Sequence, residues 1–415
     1  MRYLIKTQSP FSPAPATLGG QKPHVDTIQI QNHPIPRYVG EFWTSKQRQS
    51  SSLHEISYRA CFKAQLPAFF MNLLTNEGDT VYDPFSGRGT TIIEAALLGR
   101  KSVSNDINPL SRTLCEPRLH PPTLKDIRSR LDSIQISGEA RADIDLSMFY
   151  HTKTEAEIVS LRKYLSMREQ NGDEDHLDRW IRMVATNRLS GHSKGFFSVY
   201  TLPPNQAITA ERQKQINKRL RQKPEYRDTR EIILRKSRSL MRNLTEAQFT
   251  NLQKARSEAK FLSTDARSTK SITDQSIALT VTSPPFLNIV DYQGDNWLRC
   301  WFNSIDVDRI SKKMTMAPTV DKWTRVMEAV FRELFRVTAS GGWVAFEVGE
   351  LRNGRVRLDE LVVPLGISAG FQCAGILINS QRFTKTSNIW GVSNNSSGTN
   401  TNRIVLFHKN GRQYS

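Results

Sequence analysis

Val281-Thr282-Ser283-Pro284-Pro285-Phe286 closes the apolar run Ile277-Ala278-Leu279-Thr280-Val281. The run is short, rich in β-branched residues and cut off by two prolines, which is the pattern of a buried strand. Proline has no N–H and a fixed φ, so Pro284-Pro285 cannot extend the strand. The residue before each proline is pushed to extended geometry as well. A stiff loop at the carboxyl end of a strand is expected, the place where open α/β sheets hold their ligands. This loop offers the Ser283 hydroxyl, backbone carbonyls without ladder partners and the aromatic face of Phe286. Together these could grip a flat ring bearing an exocyclic amine. Taken alone, the stretch reads equally well as a proline-rich strand exit around a buried Phe.

A second stretch, about two hundred residues upstream, shifts that balance. Val81-Tyr82-Asp83-Pro84-Phe85-Ser86-Gly87-Arg88-Gly89-Thr90-Thr91 is a strand end, a Gly-x-Gly turn and a helix start. Glycines let a backbone approach a ligand closely, and Asp83 can hold an ammonium or hydroxyl there. The third glycine of the dinucleotide fingerprint is missing, and no Gly-Lys-Ser/Thr follows. Nicotinamide and nucleoside-triphosphate sites are therefore disfavoured. About 20 positions on, Lys101 to Asn105 reads as the next strand, with Asp106 placed to bond ribose hydroxyls; an Asx turn ending the strand is the plainer alternative.

The two motifs in this order resemble the exocyclic-amino DNA methyltransferases. The Ser-Pro-Pro-Phe form resembles the N4-cytosine branch; the N6-adenine branch more often has Asp or Asn in place of Ser283. The resemblance covers roughly residues 54 to 120 and 259 to 410. It implies an α/β fold, a seven-stranded Rossmann-like sheet with a reversed last strand, carrying a large helical basic insert. Alternating strands and helices argue for a doubly wound sheet independently. The implied cofactor is S-adenosylmethionine, held by Phe62, Leu66, Asp83, Phe85, Ser86, Gly87, Gly89, Thr90, Asp106, Asn108 and Asp265. Phe62 to Phe70 resembles the family segment covering the methionine end of that cofactor, although most of it reads as core. Asp265 would pair with the adenine amine, or be a surface residue after its strand. Ser283, Pro284, Pro285 and Phe286 would be catalytic. Tyr292, Lys194, Phe196 and Tyr200 are candidates for contacting the target base or its strand. Trp297 and Trp301 read more readily as core.

Composition is consistent with a nucleic-acid enzyme. The 415 residues carry a net charge of +18 and an estimated pI near 9.9. Such a surplus suggests a polyanionic partner. Between Glu211 and Lys260 lie fifteen Lys/Arg against six Asp/Glu, about half of the excess. Lysines and arginines on helical faces suit phosphate contacts. No helix-turn-helix or zinc-finger spacing occurs there. Cys61, Cys115, Cys300 and Cys373 are scattered, so neither zinc nor a disulfide framework is indicated. No apolar run approaches the ~18 residues of a membrane span, and Met1 to Lys6 carries no signal-peptide core. A cytoplasmic, DNA-associated protein of a bacterium or archaeon is expected, without a metal.

Four regions follow. Residues 1–53 read as irregular. Residues 54–120 form the first part of the core, with a helix over His54 to Leu74. Residues 121–258 are the inserted helical recognition domain. Residues 259–415 complete the core, with a third strand at Phe261 to Ala266, a helix at Asp321 to Val337, a Ser340-Gly341-Gly342 turn into a fifth strand, a helix from Leu358, and a closing strand pair. Ser387 to Asn402 reads as a mobile loop or a DNA-contacting one. Family members of this motif order usually place the recognition region later, so the role of the insert is the less secure part of the resemblance. Partners expected are double-stranded DNA and a companion restriction endonuclease.

The chemistry implied is direct methyl transfer to a flipped-out base, since no cysteine follows a proline as a carbon-5 nucleophile would. An N6-adenine enzyme, an RNA or protein-glutamine methyltransferase, and an inactive nucleic-acid-binding protein are the competing readings.

Overall fold

The structure is a computed structural model and describes residues 15–17, 20–44, 50–58, 61–202, 208–285, 292–313, 317, 319–351, 356–380 and 401–411. Its strands are β1 (His24–Ile30), β2 (His33–Gly40), β3 (Thr80–Asp83), β4 (Lys101–Asn105), β5 (Lys260–Leu262), β6 (Ile277–Thr282), β7 (Thr338–Val348), β8 (Glu350–Leu351), β9 (Val356–Arg357), β10 (Gln372–Ser380) and β11 (Thr401–His408). Helices α1 (Gln65–Leu74), α2 (Thr90–Leu97) and α3 (Leu110–Cys115) precede the insert. The insert holds α4 (Leu124–Ser133), α5 (Thr152–Gln170), α6 (His176–Arg188), α7 (Ala210–Leu220), α8 (Thr229–Met241) and α9 (Glu246–Glu258). After it come α10 (Tyr292–Phe302), α11 (Val307–Lys313), α12 (Val320–Val337) and α13 (Leu358–Ser368).

One mixed sheet has nine strands in the order β1-β2-β10-β11-β7-β6-β3-β4-β5, and β8 and β9 form a separate ribbon. The expected seven strands become nine. From β10 to β5 the strands are contiguous, and β7, β6, β3, β4 and β5 run parallel. The reversed strand is β11, antiparallel to both β7 and β10. The two added strands are a hairpin, β1 with β2, laid parallel against β10.

That hairpin corrects the reading of residues 1–53 as irregular. Pro34 and Pro36 were the misleading signal, because proline is excluded from most paired strand positions. Both lie at the start of β2, and pairing with β10 begins only at Arg37. The chain leaving β2 is then fixed by Asn379 on β10, which is fully buried. Its Oδ1 accepts from the backbone of Phe42 (2.8 Å) and Trp43 (3.3 Å), and its Nδ2 donates to the Trp43 carbonyl (3.2 Å).

The expected helix from His54 is also shorter than read. A single 3₁₀ turn covers Ser52–His54, and α1 starts only at Gln65. The carbonyls of the intervening stretch are taken by arginines instead of a helical ladder. Arg88 donates to His54 (3.1 Å), Ile56 (2.7 Å) and Phe62 (3.5 Å), while Arg118 donates to Leu53 (3.0 Å). The third strand ends at Leu262, short of Asp265, and β7 already begins at Thr338, taking in the glycines read as a turn. Helix α12 matches its apolar pattern, burying Trp323, Met327, Val330, Phe331, Leu334 and Val337 against the sheet.

The insert is not a satellite body. Its residues Ile127, Leu161, Trp180, Ile233 and Leu252 share one apolar core with Ile92 and Leu97 of α2, Leu114 of α3 and Phe302 of α10. Among the described residues, no helix is long and apolar enough to cross a membrane.

Candidate active site

The two motifs that stand far apart in sequence meet in the middle of the sheet, where β3 pairs with β6. Two hydroxyls join them. Thr282 Oγ1, at the end of β6, donates to Asp83 Oδ1 at 2.6 Å. Thr91 Oγ1, in the first turn of α2, donates to the Val281 carbonyl at 3.0 Å. The cofactor loop and the proline loop therefore share one rigid joint.

The glycine turn runs over that joint. Gly87 and Gly89 take φ of +52° and +77°, which side chains other than glycine's rarely adopt. A Cβ on Gly89 would lie 2.2 Å from Cys115 Sγ. The Gly87 amide donates to Asp106 Oδ2, and the Asn108 amide to Asp106 Oδ1, both at 2.9 Å. Each carboxylate oxygen keeps a lone pair for a further donor. Asn105 is fully buried and links three strand ends: its Nδ2 donates to the carbonyls of Pro84 (3.2 Å) and Thr264 (3.0 Å), and its Oδ1 accepts from the Thr264 amide and hydroxyl (3.0 Å each).

Burial sets the electrostatics. Asp83 is 1% exposed, and desolvation pushes its carboxyl up to about 7, against the pull of Thr282, the Phe85 amide and Thr91; nearby Asp106 pushes it further up. Desolvation raises Asp106 as well. Two desolvated carboxyls close together favour a cationic ligand with hydroxyls, which would offset both penalties. An ammonium, a sulfonium and a ribose diol fit that demand, so the residues present suit S-adenosylmethionine.

The other cofactor candidates divide. Phe85 is partly buried against the core, and its amide donates to Asp83 Oδ1 (3.1 Å). Ser86 uses its hydroxyl on the Asp83 carbonyl (2.9 Å), Thr90 accepts from Arg88 Nε (3.1 Å), and Asn108 Oδ1 accepts from the Leu110 amide (3.0 Å). These three side chains shape the loop. Leu66, 1% exposed, packs with Val81, Ala95 and Leu279, and Phe62 lies partly buried at the edge of that core. Asp265 is paired in its own turn. Arg267 Nε bonds both carboxylate oxygens (2.9 and 3.0 Å), and that guanidinium holds the Asp265 carboxyl below its usual range. A cofactor amine would have to share it.

On the base side, Ser283 and Pro285 are half-buried and Pro284 is buried. Trp323 Nε1, from α12, donates to the Pro285 carbonyl at 2.9 Å. The Pro284 carbonyl has no partner among the described residues. Phe286 lies outside the described residues, as do Asn288, Asp291 and the side chain of Tyr292; residues 387–400 of the expected loop do too. Phe196 is 4% exposed, stacked under the Arg188 guanidinium (3.9 Å) and against Gly191, where a Cβ would meet its ring at 2.5 Å. Tyr200 is half-buried and packs on the insert core, while Lys194 is exposed.

The sequence reading missed Glu347. It stands near the end of β7, beside β6, where the nearby Ser283 hydroxyl helps to hold its carboxyl down. Asn402, at the start of β11, donates to the same carboxyl. Desolvation pushes Glu347 up to about 7, and these two donors pull it back. The signal was available: Trp343-Val344-Ala345-Phe346-Glu347-Val348 has one carboxylate in an otherwise apolar strand, and buried carboxyls need partners. Missed too were Arg88 and Arg118, buried cations that bind the segment before α1 to the glycine turn. Among the described residues, no three His, Cys, Asp or Glu come together to hold a metal ion.

Known proteins resemble this chain. A family model described as DNA methylase matches residues 20–113, from the hairpin through the glycine turn to α3. The type II methyltransferase M.BsoBI of Geobacillus stearothermophilus is 22% identical over 348 residues, 74% of this chain and 63% of that protein. The type II methyltransferase M.MjaII of Methanocaldococcus jannaschii is 30% identical over 88 residues, 21% of this chain and 17% of that protein. The type II methyltransferase M.MthZI of Methanothermobacter thermautotrophicus is 33% identical over 92 residues, 21% of this chain and 26% of that protein. The chain thus spans less than two thirds of the length of each. These matches support the exocyclic-amino DNA methyltransferase family, without separating its N4-cytosine and N6-adenine branches, and S-adenosylmethionine as the cofactor.

Proposed function

We propose that the chain methylates the exocyclic N4 amine of cytosine in DNA, by direct transfer from S-adenosylmethionine to a base flipped out of the duplex. The observation that carries this reading is the Ser283 hydroxyl at the mouth of the sheet, beside the Glu347 carboxyl and next in chain to Thr282, which bonds Asp83 of the cofactor loop.

When bound, S-adenosylmethionine supplies an electrophilic methyl group; the rest falls to the chain. The N4 lone pair is conjugated into the cytosine ring and is a poor nucleophile. The Ser283 hydroxyl and the Pro284 carbonyl accept from the two N–H bonds, which turns the lone pair out of conjugation and fixes its direction. Ser283 relays the departing proton to Glu347, whose carboxyl near 7 suits a general base at neutral pH. Phe286 stacks on the base. A covalent thiol has no part: burial pushes Cys115 and Cys373 up to about 12 and Cys300 to about 11, so all three stay protonated. Pairing with a companion restriction endonuclease belongs to the same reading.

Incubation with unmethylated genomic DNA and S-adenosylmethionine, followed by nucleoside mass spectrometry, tests it. N4-methylcytosine is expected, and Ser283→Ala should remove it while cofactor binding persists. N6-methyladenine would overturn the base assignment. Cofactor binding without any methylated deoxynucleoside would point to RNA or protein substrates.

A further inference from the structure

The arginines of the insert differ in their partners. Arg130, Arg168, Arg179 and Arg182 are bridged to Asp175, Asp178, Glu174, Glu116 and Glu169, and these pairs tie α4, α5 and α6 together. The carboxyl end of α7 is different. Lys218, Arg219, Arg221 and Lys223 are all exposed, and none forms an ion pair among the described residues. The nearest acids in sequence are Glu211, at the other end of the helix, and Glu225. Uncompensated cations repel one another, so four within six residues are a standing cost unless an anion meets them.

The backbone holds them out. Arg221 caps α7 in the left-handed conformation, φ +49°, which costs a side chain other than glycine's about 1–2 kcal/mol. That turn lifts Leu220 into solvent at 47% exposure, between the cations. The knuckle is firmly seated. Gln213 and Gln222 Nε2 both donate to the Tyr200 carbonyl (3.0 and 2.9 Å) and to Asn217 Oδ1 (2.6 and 2.8 Å), while Asn217 Nδ2 donates to the Met148 carbonyl (2.8 Å). Its other end adjoins the catalytic side: Trp297 Nε1 of α10 donates to the Ile208 carbonyl at 3.0 Å, just before α7 begins. Helix α7 spans about 16 Å. The length of α7 between the knuckle and the end held by Trp297 is thus less than one duplex turn of about 34 Å.

We propose that this knuckle is the chain's clamp on duplex DNA, with Lys218, Arg219, Arg221 and Lys223 on backbone phosphates and Leu220 against the groove. The assignment rests on the DNA reading above and narrows it to one turn of one helix. Phosphate contacts fix register and orientation, and apolar side chains set among them enter grooves.

Binding to an unmethylated duplex oligonucleotide, followed by fluorescence anisotropy across a salt series, tests it apart from catalysis. In the variant carrying Lys218→Gln, Arg219→Gln and Lys223→Gln, the slope of log K against log salt should flatten by about 3, with affinity down tenfold or more at low salt. Leu220→Ala should weaken binding at an unchanged slope. Lys125→Gln with Lys254→Gln, which removes exposed cations from α4 and α9, should behave as wild type. An unchanged slope in the triple variant, or an equal loss in the control, overturns the clamp and leaves the methyltransferase reading standing. Absence of duplex binding by the wild-type chain, with S-adenosylmethionine still bound, overturns the DNA reading and the clamp with it.

Discussion

In the proposed mechanism the protonation state of Glu347 controls Ser283. Above about 7 the carboxylate can take a proton through the hydroxyl; below it, it cannot. Turnover of the wild-type chain should therefore rise with pH through that range. Glu347→Gln keeps the shape and the Asn402 contact but removes the base. A loss of roughly 10²–10⁴ in kcat is expected, with the pH limb abolished and cofactor affinity kept; a retained pH limb would move the base elsewhere. The same shift has a thermodynamic side. The folded carboxyl holds its proton more tightly than the unfolded one, so stability is fully present below the ordinary carboxylate range. It is lost as pH rises through about 7, and Glu347→Gln should flatten that dependence. At this scale the sequence was readable where a residue type implied a conformation: Gly87 and Gly89 take the positive φ of a glycine turn, and Asp106 accepts from the Gly87 amide. It was silent where partners decide: Leu66 is buried by Leu279, more than two hundred residues away, and Phe196 by Arg188 and Gly191 close by.

The β1–β2 hairpin gives the sheet an edge beyond β10, and the Asn379 side chain reinforces the β2–β10 ladder by holding the chain that leaves β2. In Asn379→Ala, the backbone groups of Phe42 and Trp43 lose their partners inside a buried site, a cost of about 1–3 kcal/mol. The urea midpoint should fall accordingly, and amide exchange should quicken in β1 and β2 before the rest of the sheet; uniform quickening would deny the hairpin its separate anchor. Elements with an unbroken period, such as α12, β6 and the pair β10 with β11, were legible in sequence. The hairpin was not, since its prolines break the strand signal and only the register with β10 shows that they do no harm. The stretch before α1 was overread because arginines, acting from afar, replace the helical bonds its spacing suggested.

Across the whole molecule, the insert and the sheet share the core that includes Ile92, Leu114, Trp180, Ile233 and Phe302. Sequence composition marked the insert as a distinct region, and cannot show whether a distinct region has its own core. Calorimetry of the full chain should give a single transition, and residues 121–258 expressed alone should lack near-ultraviolet dichroism; two transitions would make the insert independent. Polarity of the sheet has a further result. The five parallel strands deliver the chain to the catalytic rim as they end, whereas β11 delivers it as it starts, so Asn402 reaches Glu347 from the opposite sense. Its supplier lies 55 residues later in the chain than Glu347. Synthesis from the amino end thus makes the glycine turn and Glu347 before Asn402 exists, and Glu347 gains its Asn402 donor only once β11 has been made.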